Sequence, residues 1–345
     1  ISSNDILIDP NNGLIVFSSS PDYETISSYS AIVSVSDGEN SSSQVITVNI
    51  NNLNDNSPIF TSSSTFSINE NELAVATVTA TDADNDDITF TVSGSDLSIT
   101  SNGVLTFNSA PDFESQSTYS ATISASDSLN ISQQTINISI VDVNEAPQIT
   151  SNSSFTIDEN ETEIGTVTGS DQDGDNLTFT ISGSEINIGE TTGLLTFASA
   201  PDYETKSSYT ATVTVSDGTL SSSQNITISV NNLNDNSPVI TSSESFSADE
   251  NQTAIGTVTA TDADNDDITF SISGSELAIT TAGVLTFASA PDYETKSSYT
   301  ATLTASDGTN NSTQNITVSV NNLNDNSPVI TSSESFSADE NQTAI

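Results

Sequence analysis

The reactive chemistry open to this chain is that of the carboxylate. Its 345 residues carry 47 Asp and Glu against two Lys, with no His and no Cys. The acids keep a spacing. Pro-Asp-aromatic-Glu occurs four times at a period of 90 residues, as Pro21 to Glu24, Pro111 to Glu114, Pro201 to Glu204 and Pro291 to Glu294. A Glu flanked by Asn or Asp returns at Glu70, Glu159, Glu250 and Glu340. An Asp-x-Asp turn returns at Asp82 and Asp84, Asp171 and Asp173, and Asp262 and Asp264. A lone Asp follows the long apolar alternation at Asp37, Asp127, Asp217 and Asp307. Acid that only adds solubility could drift between repeats, so a fixed position implies a local task.

Catalysis has little to work with. Acid–base or nucleophilic chemistry would rest on carboxylates alone. Paired carboxylates can hydrolyse glycosides, but pairs present in every repeat imply no single substrate cleft. The chain therefore reads as a non-enzyme. Cation binding is the better match. Two carboxylates about 5 Å apart repel by about 3 kcal/mol at an effective dielectric of about 20, and a shared divalent ion reverses that sign. With oxygen donors only, several carboxylates and Asn carbonyls suit Ca²⁺ over Zn²⁺ and, by ligand number, over Mg²⁺. Asp171 to Asp175 could also open a helix-flanked calcium loop, but its twelfth position is Ser182 where that loop needs Glu.

A formal charge of −45 excludes nucleic acid and anionic membrane as natural partners. No apolar run approaches the length of a membrane span. High charge with low hydrophobicity also marks disordered chains, but disorder has no reason to alternate. Here Tyr209, Ala211, Val213 and Val215 alternate with Thr and Ser, and the same beat returns at Tyr29, Tyr119 and Tyr299. That period is the mark of half-buried strands.

One period, residues 58 to 147, reads as strands at Phe66 to Ile68, Val75 to Ala80, Ile88 to Val92, Val104 to Phe107, Tyr119 to Ala125 and Ile136 to Ile140. Polar linkers ending in Pro follow at 52–58, 142–147, 232–238 and 322–328. The expected fold is all-β, a tandem array of Greek-key seven-stranded β-sandwiches. Repeats are expected at 56–145, 146–235 and 236–325, with partial ones at 1–55 and 326–345. Residues 321 to 345 repeat 231 to 255 without a change. The simplest account is a slice of a longer array; the sharper one is a filament subunit whose last strands complete the first domain of the next chain. The Tyr residues and the aromatic of each Pro motif read as core packing, and Lys206 and Lys296 as exposed charges. Asn-x-Ser/Thr triplets such as Asn225 to Thr227 leave glycosylation open.

The Asn-Glu-Asn glutamate, the Asp-Tyr-Glu loop, the Asn-Asp-Asn-x-Pro linker, the Asp-Ala-Asp turn and the Ala-Ser-Asp-Gly strand end resemble the calcium motifs of cadherin repeats. The resemblance spans essentially the whole chain and is closest to microbial cadherin-like surface arrays. It implies three Ca²⁺ at each domain junction. The first junction would use Asp22, Glu24, Asn54, Asp55, Asp82, Asp84 and Asp127. The second would use Glu70, Asp112, Glu114, Asp142, Asn144, Glu145, Asp171, Asp173 and Asp217. The third would use Glu159, Asp202, Glu204, Asn234, Asp235, Asp262, Asp264 and Asp307. A fourth is half present in Glu250, Asp292, Glu294, Asn324 and Asp325. The family's first linker Asp is Asn at 52, 232 and 322 and Asp only at 142, while the second linker has Asn-Glu-Ala for Asn-Asp-Asn. The ion count is accordingly two or three per junction. No Trp is present, so adhesion by exchange of a Trp-bearing strand does not carry over. The resemblance implies an extracellular, cell-surface stalk or filament stiffened by calcium, with self-association as a further partner and a carbohydrate-binding array as the alternative.

Overall fold

The computed structural model describes residues 1–340 together with Gln342 and Thr343. The partial repeat expected at 326–345 includes Asn341, Ala344 and Ile345, which lie outside the described residues. Every regular element among the described residues is a strand. The chain divides into two compact units, one of Ile1–Ala146 with Asp171–Asp175, the other of Pro147–Ser170 with the chain from Asn176 onward.

The first unit holds one whole sandwich. Thr65–Asn69 runs parallel to Ile131–Val141, which pairs antiparallel with Thr118–Ser126, and that strand with Thr89–Val92. The facing sheet orders Leu97–Ile99, Val104–Phe107 and Ala74–Thr77. Alternation explains the pairing. Ala121, Ile123 and Ala125 point inward from one strand and Ile136, Ile138 and Ile140 from its neighbour, all buried, while the residues between face outward. Phe107 meets Tyr119 edge-on at 4.8 Å between ring centres, and Phe17–Tyr29, Phe197–Tyr209 and Phe287–Tyr299 repeat the contact. Tyr119, Tyr209 and Tyr299 are partly buried and pack against the core, as the alternation predicts.

The second unit repeats the four-stranded sheet twice. Ser154–Asp158, Ser221–Asn231, Ser208–Ser216 and Thr178–Ile181 form one, and Ser245–Asp249, Asn311–Asn321, Ser298–Ser306 and Thr269–Ile272 the other. Each faces a three-stranded sheet, giving seven strands per sandwich with a separate two-residue pair. Residues 1–55 hold two hairpins, Ile6–Ile8 with Ile15–Phe17 and Ser28–Ser36 with Ser41–Asn49.

Four details differ from the sequence reading. The strand expected from Val75 to Ala80 is broken: Ala74–Thr77 pairs with Val104–Phe107, whereas Ala80–Thr81 pairs with Ile59–Phe60. At the break the Val78 N–H donates to the Gly103 carbonyl at 2.8 Å. Gly103 has φ +85, and a Cβ there would lie 2.1 Å from the Val78 oxygen, so the crossing admits only glycine. The last strand starts at Ile131, five residues early, because its polar half is held by the ladder to Thr118–Ser126 and not by burial. Leu97–Ile99 was too short to show periodicity. Lys206 and Lys296 are not simple exposed charges: each pairs with a carboxylate, Glu185 at 2.7 Å and Glu276 at 2.6 Å, over the rings of Tyr209 and Tyr299.

Candidate metal centre

The end of a strand sets the first group. Glu70 directly follows Thr65–Asn69 and is only 2% exposed. Its Oε2 accepts the Phe113 N–H at 2.9 Å and its Oε1 the Val143 N–H at 2.8 Å. One buried carboxylate thus ties the Pro-Asp-Phe-Glu loop to the linker, through two charge-assisted hydrogen bonds. Glu159 does the same with Tyr203 and Leu233 at 2.8 and 2.7 Å, and Glu250 with Tyr293 and Leu323 at 2.8 and 2.7 Å.

The Asp-x-Asp turn grips the linker from the other side. Asp84 Oδ2 accepts the backbone N–H groups of Asp55 and Asn56 at 3.0 and 2.8 Å, and Asp264 Oδ2 those of Asp235 and Asn236 at 3.1 and 2.8 Å. Asp173 Oδ2 accepts the Glu145 N–H at 2.9 Å. Within the turn, Asp82 Oδ1 accepts the Asp84 N–H at 2.9 Å and Asp262 Oδ1 the Asp264 N–H at 3.0 Å.

Carboxylates from distant segments therefore converge. One oxygen from each of Glu70, Glu114, Asp142 and Asp173 lies within 4.8 Å of the others, and the same holds for Glu159, Glu204, Asp235 and Asp264 and for Glu24, Asp55 and Asp84. Two further groups, Asp82 with Asp84 and Asp86, and Asp171 with Asp173 and Asp175, meet the same limit. Asp86 and Asp175 were not among the expected ligands. Their signal was the continued two-residue spacing after the Asp-x-Asp pair. The Asp171–Asp175 turn groups with the first unit, so the cluster at Glu70 lies within one unit.

Other expected residues are held locally. Asp22, Asp112, Asp202 and Asp292 accept hydroxyl hydrogens from Thr25, Ser115, Thr205 and Thr295 at 2.7, 2.9, 2.9 and 2.8 Å. Asp127 Oδ1 accepts the N–H groups of Leu129 and Asn130, Asp217 Oδ1 those of Thr219 and Leu220, and Asp307 Oδ1 those of Thr309 and Asn310. Asn130 then reaches the linker, donating to Asn54 Oδ1 at 2.7 Å, and Asn310 to Asn234 Oδ1 at 3.0 Å. Asn144 donates to the Glu145 carbonyl at 3.2 Å. Asp217 belongs to the second unit and Asp142, Asn144 and Glu145 to the first. In the last group, Asp325 accepts from Asn251 at 2.6 Å and Glu294 from Asn322 at 3.3 Å, while Asn324 is exposed.

Two observations test the fit to a cation. Asp82 Oδ2, Asp171 Oδ2 and Asp262 Oδ2 are shut off from solvent and have no hydrogen-bond partner, as are Asp173 Oδ1, Glu145 Oε2 and Asp307 Oδ2. A buried carboxylate oxygen with no donor is unfavourable unless a positive charge faces it. Neighbouring acids also oppose ionisation. Burial, with the charge of Glu70, pushes Glu114 up, and burial with Glu159 pushes Glu204 up. Burial beside Asp173 raises Asp142, and burial beside Asp82 and Asp84 raises Asp86. Asp84 and Asp264 go the other way: burial acts to raise them, but the amides of Asn56 and Asn236 outweigh it. An all-oxygen, multi-carboxylate donor set of this kind fits a hard divalent cation.

A sandwich whose first and last long strands run parallel, with groups of acids at its linkers, defines a class of tandem β-sandwich modules. Residues 244–321 match the family model of the cadherin domain, and residues 54–139 and 144–229 match that of a bacterial Ig domain. The chain is 29% identical to mouse Cadherin EGF LAG seven-pass G-type receptor 2 over 368 aligned positions, which cover 93% of this chain and 12% of that receptor. Among solved structures it resembles the Protocadherin GammaB4 extracellular domain, with a TM-score of 0.62, 25% identity and coverage of 92% of this chain and 60% of that one. It shares the fold of mouse Cadherin-23 EC22-24, with a TM-score of 0.57, 23% identity and coverage of 78% and 100%. Residues 244–321 thus carry a cadherin-domain match, and the chain as a whole has the tandem β-sandwich fold of cadherin extracellular domains.

Proposed function

We propose that this array binds Ca²⁺ where its linkers meet the flanking loops, and that it serves as a stiffened extracellular spacer or adhesive stalk. The observation that carries the reading is one feature found three times. A buried, unpartnered oxygen recurs at Asp82, Asp171 and Asp262, each in a turn whose next Asp holds the linker. Such a feature would be removed by drift unless something positive met it.

The first set of ligands is Glu24, Asn54, Asp55, Asp82, Asp84 and Asp127 with Asp22. The second is Glu70, Glu114, Asp142, Asn144, Glu145, Asp171 and Asp173 with Asp112, and the third Glu159, Glu204, Asn234, Asp235, Asp262, Asp264 and Asp307 with Asp202. Glu250, Asp292, Glu294, Asn324 and Asp325 supply part of a fourth. Two or three ions per junction match these donors. When bound, the cation supplies positive charge that turns mutual repulsion of the acids into shared coordination. The residues do the rest: Glu70 and Glu159 fix loop to linker, while Asp84 and Asp264 fix linker to turn. On this reading the domains run over 56–145, 146–235 and 236–325, with parts of others at 1–55 and 326–345. The match to a bacterial Ig domain model supports a microbial setting, and the likeness to a protocadherin extracellular domain supports the compartment. The role is structural, with no catalytic step.

The test is calorimetric titration of the chain with Ca²⁺, beside small-angle scattering in Ca²⁺ and in chelator. Ion uptake, with scattering that loosens on chelation while the β circular dichroism persists, is the expected result. No uptake of any divalent ion would return the acids to surface solvation.

A further inference from the structure

The linkers carry the same duty with different side chains, and the difference falls on the carboxylate oxygens. In the first, the Asn56 side-chain amide lies 3.0 Å from Asp84 Oδ1 and 3.0 Å from Asp55 Oδ1. In the third, the Asn236 amide lies 2.9 Å from Asp264 Oδ1, 2.8 Å from Asp235 Oδ1 and 3.2 Å from Glu204 Oε2. Each amide presents the positive end of its dipole to a group of acids, which is a small built-in share of what a cation would supply.

In the second linker that position is Ala146. Asp173 Oδ1, which corresponds to the oxygens capped by Asn56 and Asn236, is buried and has no partner. Glu145 Oε2 is buried and unpartnered as well. One further amide is lost nearby. Asn52 and Asn232 donate to the backbone carbonyls of Asp84 and Asp264 at 2.8 and 2.9 Å, but the matching residue is Asp142, whose carboxylate joins the cluster of Glu70, Glu114 and Asp173.

We infer that the cluster of Glu70, Glu114, Asp142 and Asp173, with Glu145 next to it in the linker, takes a divalent cation more tightly than the clusters around Asp84 and Asp264, with residue 146 as the determinant. The inference rests on the calcium reading above and adds an order of affinity to it. Where Asn56 or Asn236 already donates to the carboxylates, part of their field is spent before an ion arrives. Where Ala146 stands, Asp173 Oδ1 and Glu145 Oε2 are desolvated and unpaired, so the interaction of these two oxygens is left for the ion. An Asp in place of an Asn adds a formal charge to the same group. Either change is of the size that shifts affinity about tenfold. The amide-capped linkers are also the ones that hold their geometry without an ion.

Hydrogen exchange on the whole chain, read by mass over a series of buffered free Ca²⁺ concentrations, tests this. Residues 231 to 255 and 321 to 345 have identical sequences, so peptides there are ambiguous and the comparison uses 52–58 against 142–147. Half-protection of 142–147 is expected at a free Ca²⁺ about tenfold lower than that of 52–58. Ala146→Asn should raise the midpoint of 142–147 about tenfold and leave 52–58 in place. Asn56→Ala should lower the midpoint of 52–58. Both substitutions copy residues that the other linkers tolerate. Equal midpoints in the parent chain, or midpoints that ignore both substitutions, would overturn the inference while leaving calcium binding intact. Absence of ion uptake by calorimetry would overturn the calcium reading and this inference together.

Discussion

Glu70 and Val143 are 73 residues apart in sequence, yet the Glu70 carboxylate accepts the Val143 N–H at 2.8 Å from a position closed to solvent. This single bond decides where the linker leaves its domain. The other oxygen of Glu70 holds Phe113, so one side chain orders both segments that carry the acids.

Glu70→Ala should therefore act on stability as well as on ion binding. It leaves two part-buried N–H groups, of Phe113 and Val143, without their acceptor, each costing about 1–3 kcal/mol. A fall of about 2–4 kcal/mol in the unfolding free energy of that sandwich is expected from denaturant titration. Asp87→Asn, at an exposed acid of the same sandwich, should change it by less than about 0.5 kcal/mol. Equal effects of the two would show that Glu70 is an ordinary surface acid.

Removal of calcium should lower the thermal midpoint without loss of β structure. An ion at about 100 times its dissociation constant stabilises the state it binds by about 2.7 kcal/mol. Scans in Ca²⁺ and in chelator measure the shift. A midpoint that is the same in both would contradict binding to the folded chain.

Acid should weaken ion binding before it weakens the fold. Glu114, Glu204 and Asp142 are raised, so a proton competes with the ion as pH falls through their folded values, above the ordinary 4.5 and 3.8. Without the ion the sign reverses for these groups. Their contribution to stability is fully present below the unfolded value and is lost as pH rises through the folded one. Asp112, Asp127 and Asp202 are lowered, Asp112 and Asp202 by the hydroxyls of Ser115 and Thr205, and Asp127 by N–H groups that outweigh its burial. They stabilise above 3.8, and that contribution is lost as pH falls through their folded values. Ca²⁺ affinity measured from neutral pH downward should drop first, with the unfolding midpoint in chelator following at lower pH. The opposite order would remove Glu114 and Asp142 from the site.

Gly103→Ala should disrupt the strand crossing. The new Cβ would stand 2.1 Å from the Val78 oxygen at φ +85, so loss of more than about 1 kcal/mol is expected. At Gly94, also at positive φ but with nothing within 4 Å of a Cβ, the same change meets strain without collision and should cost less. The comparison by chemical unfolding separates contact from conformation.

The alternation Tyr119, Ala121, Ile123, Ala125 was enough to identify a half-buried strand, because side-chain direction in a strand has period two and the core selects one face. The 90-residue period located the acids in equivalent places, and the lack of His and Cys restricted their chemistry to oxygen. That much was decided by local sequence. Other features depend on segments that meet only after folding. The break at Val78 follows from Gly103 on a neighbouring strand. Asp86 enters the acidic group because the turn folds it back on Asp82 and Asp84. Asn56 caps Asp84, and Ala146 leaves Asp173 uncapped, only because the linker passes over the turn. Letters give an oxygen's presence, but its burial and partners come from residues distant in the chain, and those set the free energy of its charge.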